Sequence, residues 1–145
     1  MTFFIDSNIF LRVLAKEDEK TFEECRNLLT KIKNSSSGHE FITGSVVIAE
    51  VAWTLISYYK SPKDIVVRGI DSVFGTKGIS FSDTYDLKNA VKIYSRYNIK
   101  FIDALIASIP QIDNKKWTVI SYDRDFDKIG TVRKEPKPVI ELLSN

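Results

Sequence analysis

Thr2-Phe3-Phe4-Ile5 is an unbroken apolar run that ends abruptly in the carboxylate of Asp6. A short bulky run without polar alternation reads as a strand buried on both faces. Strands buried in that way belong to parallel sheets, and parallel neighbours are joined by helical crossovers. The chain supplies the helices. Behind Ser7, the residues Phe10, Val13 and Leu14 fall at helical spacing as far as Ala15, and after a polar joint at 16–20 a second helix runs to about Lys33. A Ser/Gly loop follows at 34–38, then a second strand, Phe41-Ile42-Thr43. Gly44-Ser45 offers a turn and an N-cap for a helix whose wide apolar stripe is Val47, Ile48, Val51, Ala52, Leu55 and Tyr59. Ser61-Pro62-Lys63-Asp64 predicts the next helix, with Ser61 as its cap.

Further along, Ile79-Ser80-Phe81 is a third strand, and Ser82 or Asp83 caps a helix with Leu87, Ala90, Val91 and Tyr94 on one face. Another helix is expected from Ile102 to about Ile112, before Trp117-Thr118-Val119-Ile120-Ser121, the clearest strand of the chain. A short edge strand near Thr131-Val132 and an irregular tail holding Pro136 and Pro138 complete the expectation. Strands alternating with helices imply an α/β fold with a parallel sheet covered on both faces. At 145 residues, without an internal repeat or linker, residues 1–145 are expected to form a single domain.

Composition narrows the chemistry. The one cysteine, Cys25, lies in an apolar stripe with Phe22, Leu29 and Ile32 and is expected in the core. The one histidine, His39, sits in a polar loop, so His-based acid–base chemistry and Cys/His zinc sites are not supported. A net charge of +2 neither demands nor excludes a nucleic-acid partner. No apolar run has the length of a membrane span, and the start lacks the basic region of a signal peptide, so a cytoplasmic location is expected.

In a parallel α/β sheet, strand ends and the helix starts that follow them share one edge, where ligands bind. Acidic residues recur at that edge. Asp6 ends the first strand, where it would also cap a helix. Asp103, in Phe101-Ile102-Asp103-Ala104-Leu105-Ile106-Ala107-Ser108, stands at a helix start, and the small residues after it permit close packing. Asp123 and Asp125 follow the strongest strand, in a stretch with Asp127 whose mutual repulsion calls for a nearby cation. Glu50 is the only charge between Glu40 and Lys60. For each, a cap, a turn or a solvated face is the alternative to a site. Carboxylates without His or Cys make a hard oxygen site that suits Mg²⁺ or Mn²⁺, the ions of phosphate chemistry. Neither a P-loop nor a GxGxxG sequence is present.

Asp6-Ser7-Asn8 after an apolar strand, Glu50 in the third helix, Asp103-Ala104-Leu105-Ile106-Ala107, and Ser121-x-Asp123-x-Asp125-Phe126 occur in that order along the chain. This ordered set resembles the PIN domains, and in size the chain is similar to the VapC-type toxin ribonucleases. The resemblance implies a three-layer α/β/α sandwich around a parallel sheet of about five strands. It implies a Mg²⁺- or Mn²⁺-dependent endoribonuclease in which Asp6, Glu50, Asp103 and Asp123 are the acidic quartet and Asp125 an additional acid. Ser7, Asn8 and Ser121 would be supporting residues. It further implies an RNA substrate, a small antitoxin partner and a homodimer. Arg12, Lys115, Lys116 and Arg124, with Lys128 and Arg133, are candidates to hold the RNA phosphates. The other readings are a non-catalytic PIN-like scaffold, an RNA-processing nuclease without an antitoxin, and a phospho-aspartate enzyme, which Asp6-Ser7-Asn8 matches poorly.

Overall fold

The computed structural model describes residues 1–145. Its centre is one sheet of five strands in the order β3-β2-β1-β4-β5. These are β1 (Thr2–Ile5), β2 (Glu40–Thr43), β3 (Ile79–Phe81), β4 (Trp117–Ile120) and β5 (Arg133–Lys134). Every pairing is parallel. Phe3, Phe4 and Ile5 are fully buried although they alternate between sheet faces, so β1 is covered on both sides. The helices that cover it are α1 (Ser7–Ala15), α2 (Glu19–Asn34), α3 (Ser45–Ser57), α4 (Lys63–Phe74), α5 (Leu87–Arg96), α6 (Phe101–Ala107), α7 (Pro110–Asp113), α8 (Asp125–Lys128) and α9 (Pro136–Ser144). This is the three-layer α/β/α arrangement that the resemblance implies. α1 packs on α2 and α2 on α9, whereas α6 packs on α5, α7 and α8. Cys25 is a buried free thiol in the core, as expected.

Several boundaries depart from the sequence expectation, each for a local reason. The tail is a helix, α9. Pro136 and Pro138 both fall in its first turn, where a missing N–H costs nothing, and Val139, Ile140, Leu142 and Leu143 behind them join the core. The helix expected over 102–112 breaks at Ser108-Ile109, because Pro110 cannot continue the ladder and instead starts α7. Neither Ser82 nor Asp83 caps α5; Asp86 does, through Asn89 N at 3.0 Å. Asp83 serves another helix, since its Oδ1 accepts from Ser45 N at 2.7 Å and Ser45 Oγ at 2.9 Å. Ser45 is therefore the first residue of α3 rather than its cap. Pro62, not Ser61, occupies the cap of α4, and the edge strand forms two residues later than Thr131-Val132.

Gly78 leads into β3 with φ +89°, and a Cβ there would stand 2.8 Å from the carbonyl oxygen of Ile32 at the end of α2. Gly78→Ala is expected to destabilise the protein by about 1–3 kcal/mol, from left-handed strain plus the backbone clash. Urea unfolding checks this; a change below about 0.5 kcal/mol would contradict the close approach.

Candidate metal centre

β1 and β4 are hydrogen-bonded neighbours in the register Ile5↔Ile120. The chain leaves β1 toward β2 and leaves β4 toward β5, in opposite directions across the sheet. A parallel sheet opens a crevice at such a switch point. The register delivers Asp6 and Ser121 to it side by side. Asp6 N donates to Ile120 O at 3.1 Å, and Ser121 Oγ donates to Asp6 Oδ2 at 2.7 Å.

Asp6 both caps a helix and serves the edge. Its Oδ1 accepts from Ser7 N at 2.8 Å, the cap of α1, while its Oδ2 also accepts from Asn8 Nδ2 at 2.9 Å. Asn8 Nδ2 reaches Ser121 Oγ at 2.8 Å, and Asn8 Oδ1 accepts from Tyr122 N at 3.2 Å. Asp123 N donates to Ser121 Oγ at 2.9 Å. The start of α1 and the loop after β4 are thus tied together by Asn8 and Ser121, while Ser7 N donates to the capping Asp6. Each carries out a positioning task, and Ser7 Oγ adds another by donating to Glu50 Oε1 at 2.5 Å.

The remaining acids arrive from other elements. Glu50 comes from α3, Asp103 from the first turn of α6, and Asp123 and Asp125 from the segment that opens α8. One carboxylate oxygen from each of Asp103, Asp123 and Asp125 lies within 4.8 Å of the others. Asp6 and Glu50 flank that group. Asp103 is only 1% exposed, and its Oδ2 has no hydrogen-bond partner; Glu50 Oε2 is likewise buried and unpartnered. A buried carboxylate oxygen without a donor is costly, and here two of them share one crevice. Positive charge would satisfy both, and the all-oxygen set of Asp103, Asp123 and Asp125 fits Mg²⁺ or Mn²⁺.

A side chain that the sequence pattern did not single out stands among these acids. Lys100 Nζ is 3.7 Å from Glu50 Oε1 and 3.8 Å from Asp123 Oδ2. Only the fold reveals it, because Lys100 is far in sequence from Glu50 and Asp123. Its neighbourhood to Asp103 was the one available signal.

The electrostatics follow from crowding. Burial pushes Asp6 up to about 6, against the Ser121 hydrogen bond, and the Glu50 carboxylate adds to the rise. Asp103 is pushed up to about 7, again chiefly by burial; Lys100 opposes this, and Asp123, Asp6 and Glu50 reinforce it. Burial works to lower Lys100, but Asp103, Glu50, Asp123 and Asp6 together hold its ammonium above the usual lysine value.

The basic candidates are scattered. Arg124 is exposed beside Asp123, and the Arg12 guanidinium lies 5.7 Å from the centroid of the Tyr122 ring, next to the loop after β4. Lys115 and Lys116 precede β4 and lie at the N-terminal end of that strand, the sheet edge opposite the acids. Lys128 pairs with Asp125 at 2.6 Å. Arg133 is a scaffold residue: it donates to both Asp127 carboxylate oxygens at 3.0 Å and to Ser121 O at 2.8 Å.

Comparison with known proteins adds to this geometry. The PIN domain family model matches residues 3–132. Among curated proteins no sequence matches the chain. Solved structures do. The VapBC2 structure from Rickettsia felis, bound to a DNA fragment from its promoter, aligns at 18% identity and TM-score 0.61, covering 93% of this chain and 98% of that one. VapC20 of Mycobacterium tuberculosis, a sarcin-ricin loop cleaving toxin, aligns at 14% identity and TM-score 0.64, covering 92% and 99%. VapBC-1 of nontypeable Haemophilus influenzae aligns at 12% identity and TM-score 0.65, covering 94% and 99%. At these identities the likeness is one of fold.

The crowded acids have a stability consequence. The folded protein holds the Asp103 proton more tightly than the unfolded chain does, so this group's contribution is complete below the unfolded value near pH 4 and is lost as pH rises through about 7. Without divalent metal at pH 7.5, Asp103→Asn is therefore expected to raise the Tm by about 3 °C or more, the shift for about 1 kcal/mol in a chain of this size. The gain should shrink at pH 5, where the wild-type carboxyl is protonated. Thermal melts in EDTA check this, and a lower Tm for the variant at both pH values would contradict it.

Proposed function

The chain belongs to the PIN domain family, and on that premise we propose that it is a divalent-metal-dependent endoribonuclease, the toxin of a toxin–antitoxin pair. The observation that carries the proposal is the pair of buried, unpartnered carboxylate oxygens, Asp103 Oδ2 and Glu50 Oε2, in a crevice ringed by Asp6, Asp123 and Asp125. No apolar or anionic ligand would satisfy them.

Asp103, Asp123 and Asp125 would hold Mg²⁺ or Mn²⁺, with Asp6 and Glu50 beside them. A divalent ion bound there supplies Lewis-acid charge to a phosphodiester and acidifies water at neutral pH. The chain's own residues supply orientation. Ser121 and Asn8 fix the Asp6 carboxylate, and Ser121 Oγ also holds the backbone of Asp123. Ser7 holds Glu50 through Oε1 and leaves Oε2 unpartnered in the crevice. In-line hydrolysis with the 3′ oxygen leaving gives 5′-phosphate and 3′-hydroxyl ends. Arg12, beside Tyr122, and the exposed Arg124 would hold the phosphates. Lys115 and Lys116 have no part in this version of the site.

An RNA substrate is supported by the fold shared with a sarcin-ricin loop cleaving toxin. An antitoxin partner is supported by structural neighbours solved as VapBC complexes. The surface offers room for it and for a homodimer. Trp53 and Ile56 on α3, Tyr58 beyond its end, and Leu87, Val91 and Tyr94 on α5 are all exposed. No helix is long and apolar enough to cross a membrane, and a cytoplasmic substrate pool belongs to the same proposal.

With Mn²⁺ and a mixed RNA pool, wild type is expected to cleave and Asp103→Ala to lose about a hundredfold or more while remaining folded. Mapping the product ends should give 5′-phosphates. Undiminished cleavage by Asp103→Ala, or 2′,3′-cyclic phosphate ends, would remove the proposal.

A further inference from the structure

Resting on the metal-nuclease reading above, we propose that Lys100 fills the second cation position of the acidic crevice, so that each chain binds a single divalent ion.

The acids divide into two subsets. Asp103, Asp123 and Asp125 each offer an oxygen within 4.8 Å of the others. Donors that share one Mg²⁺ at about 2.1 Å lie at most about 4.2 Å apart, so a small inward movement of these three suffices for one ion. Glu50 stands apart from that set. Its Oε1 is turned toward the Lys100 ammonium at 3.7 Å. Asp123 belongs to both subsets, because Lys100 also lies 3.8 Å from its Oδ2. In two-metal sites a shared carboxylate sits between ions roughly 3.5–4 Å apart. Here the second of those places is taken by a tethered ammonium that spans Glu50 and Asp123.

Charge arithmetic favours the same assignment. An ammonium carries one unit of charge and cannot leave the chain, and a second divalent ion entering beside it would be repelled by it and would compete for the same Glu50 and Asp123 oxygens. The Lys100 side chain is 58% exposed, so its stem is not required by the core. It lies along the groove lined by Val46, Trp53 and Ile102, and its head reaches into the acids from the solvent side. From there the ammonium can donate to a non-bridging phosphate oxygen, the service a second metal would otherwise give.

The test is the Mn²⁺ stoichiometry of the full chain, measured by isothermal titration and by the EPR signal of free Mn²⁺. Wild type is expected to bind one ion per chain, Lys100→Ala two, and Lys100→Arg one. Cleavage of the mixed RNA pool by Lys100→Ala should fall about 10–100-fold at the Mn²⁺ concentration that saturates wild type, and recover as Mn²⁺ is raised. Circular dichroism confirms that the variants fold. Two ions in wild type, or one in Lys100→Ala, overturns the assignment of Lys100. If wild type neither binds Mn²⁺ nor cleaves RNA, the nuclease reading falls as well. If it does both while the stoichiometry of Lys100→Ala is unchanged, only the assignment of Lys100 falls.

Discussion

The parallel pairing of β1 with β4 is the constraint on which the rest depends. Its register sets Asp6 beside Ser121: Asp6 N donates to Ile120 O, and Ser121 Oγ donates to the Asp6 carboxylate. A slip of one residue would swap the side chains of either strand between two faces that are both covered, and misfit the packing on each. It would also separate Asp6 from the serine that orients it. Fully buried side chains hold the register in place: Phe3, Phe4 and Ile5 on β1, Val119 and Ile120 on β4. Packing in the core and placement at the edge are therefore one arrangement seen at two points along the same strands.

What that arrangement assembles is electrostatically unfavourable. Asp6 and Asp103 are almost wholly buried, and Asp123, Asp125 and Glu50 are drawn in around them. Hydrogen bonds from Ser7, Asn8 and Ser121 soften the cost at Asp6. They do not reverse it, since burial still raises that carboxyl. Asp103 has no such support on Oδ2. Folding tolerates such strain only where the remaining core can carry it, and functional sites are where natural chains keep it. A helix end that merely needed a cap would not gather these acids.

Much of this was legible in the sequence, because strands and helix starts announce themselves by pattern. The runs at 2–5 and 117–120 are apolar and end in polar residues, so the edge position of Asp6 and Asp123 follows from the fold class. The parts that were not legible depend on contacts between distant segments. Asp83 looked like a cap for the helix after it and instead serves Ser45, which no local pattern encodes. Pro136 and Pro138 looked like helix breakers, yet both fall in the first turn, the one place a helix accepts them. Lys115 and Lys116 looked suitable for phosphate by charge alone, and the direction of β4 carries them to the wrong edge. Glu50 stood out as a lone charge in an apolar stretch, with a solvated face as the alternative; packing of α3 beside α1 brings it to Ser7.

Lys100 is the case where local chemistry and tertiary chemistry oppose each other most directly. It occupies the N-cap of α6, a position where the helix dipole favours anions and where Ser, Thr, Asp or Asn would satisfy a free N–H. A lysine there makes no side-chain cap and places its positive charge at the positive end of the helix. Judged by helix rules, the position is poorly filled. Judged by the crevice, it is a place from which a long cationic side chain reaches both Glu50 and Asp123. The carboxylates outweigh the dipole, because they carry whole charges a few ångströms away while the dipole offers about half a charge that falls off within a turn. A residue that breaks a local rule with so evident a tertiary counterpart belongs to the site rather than to the scaffold.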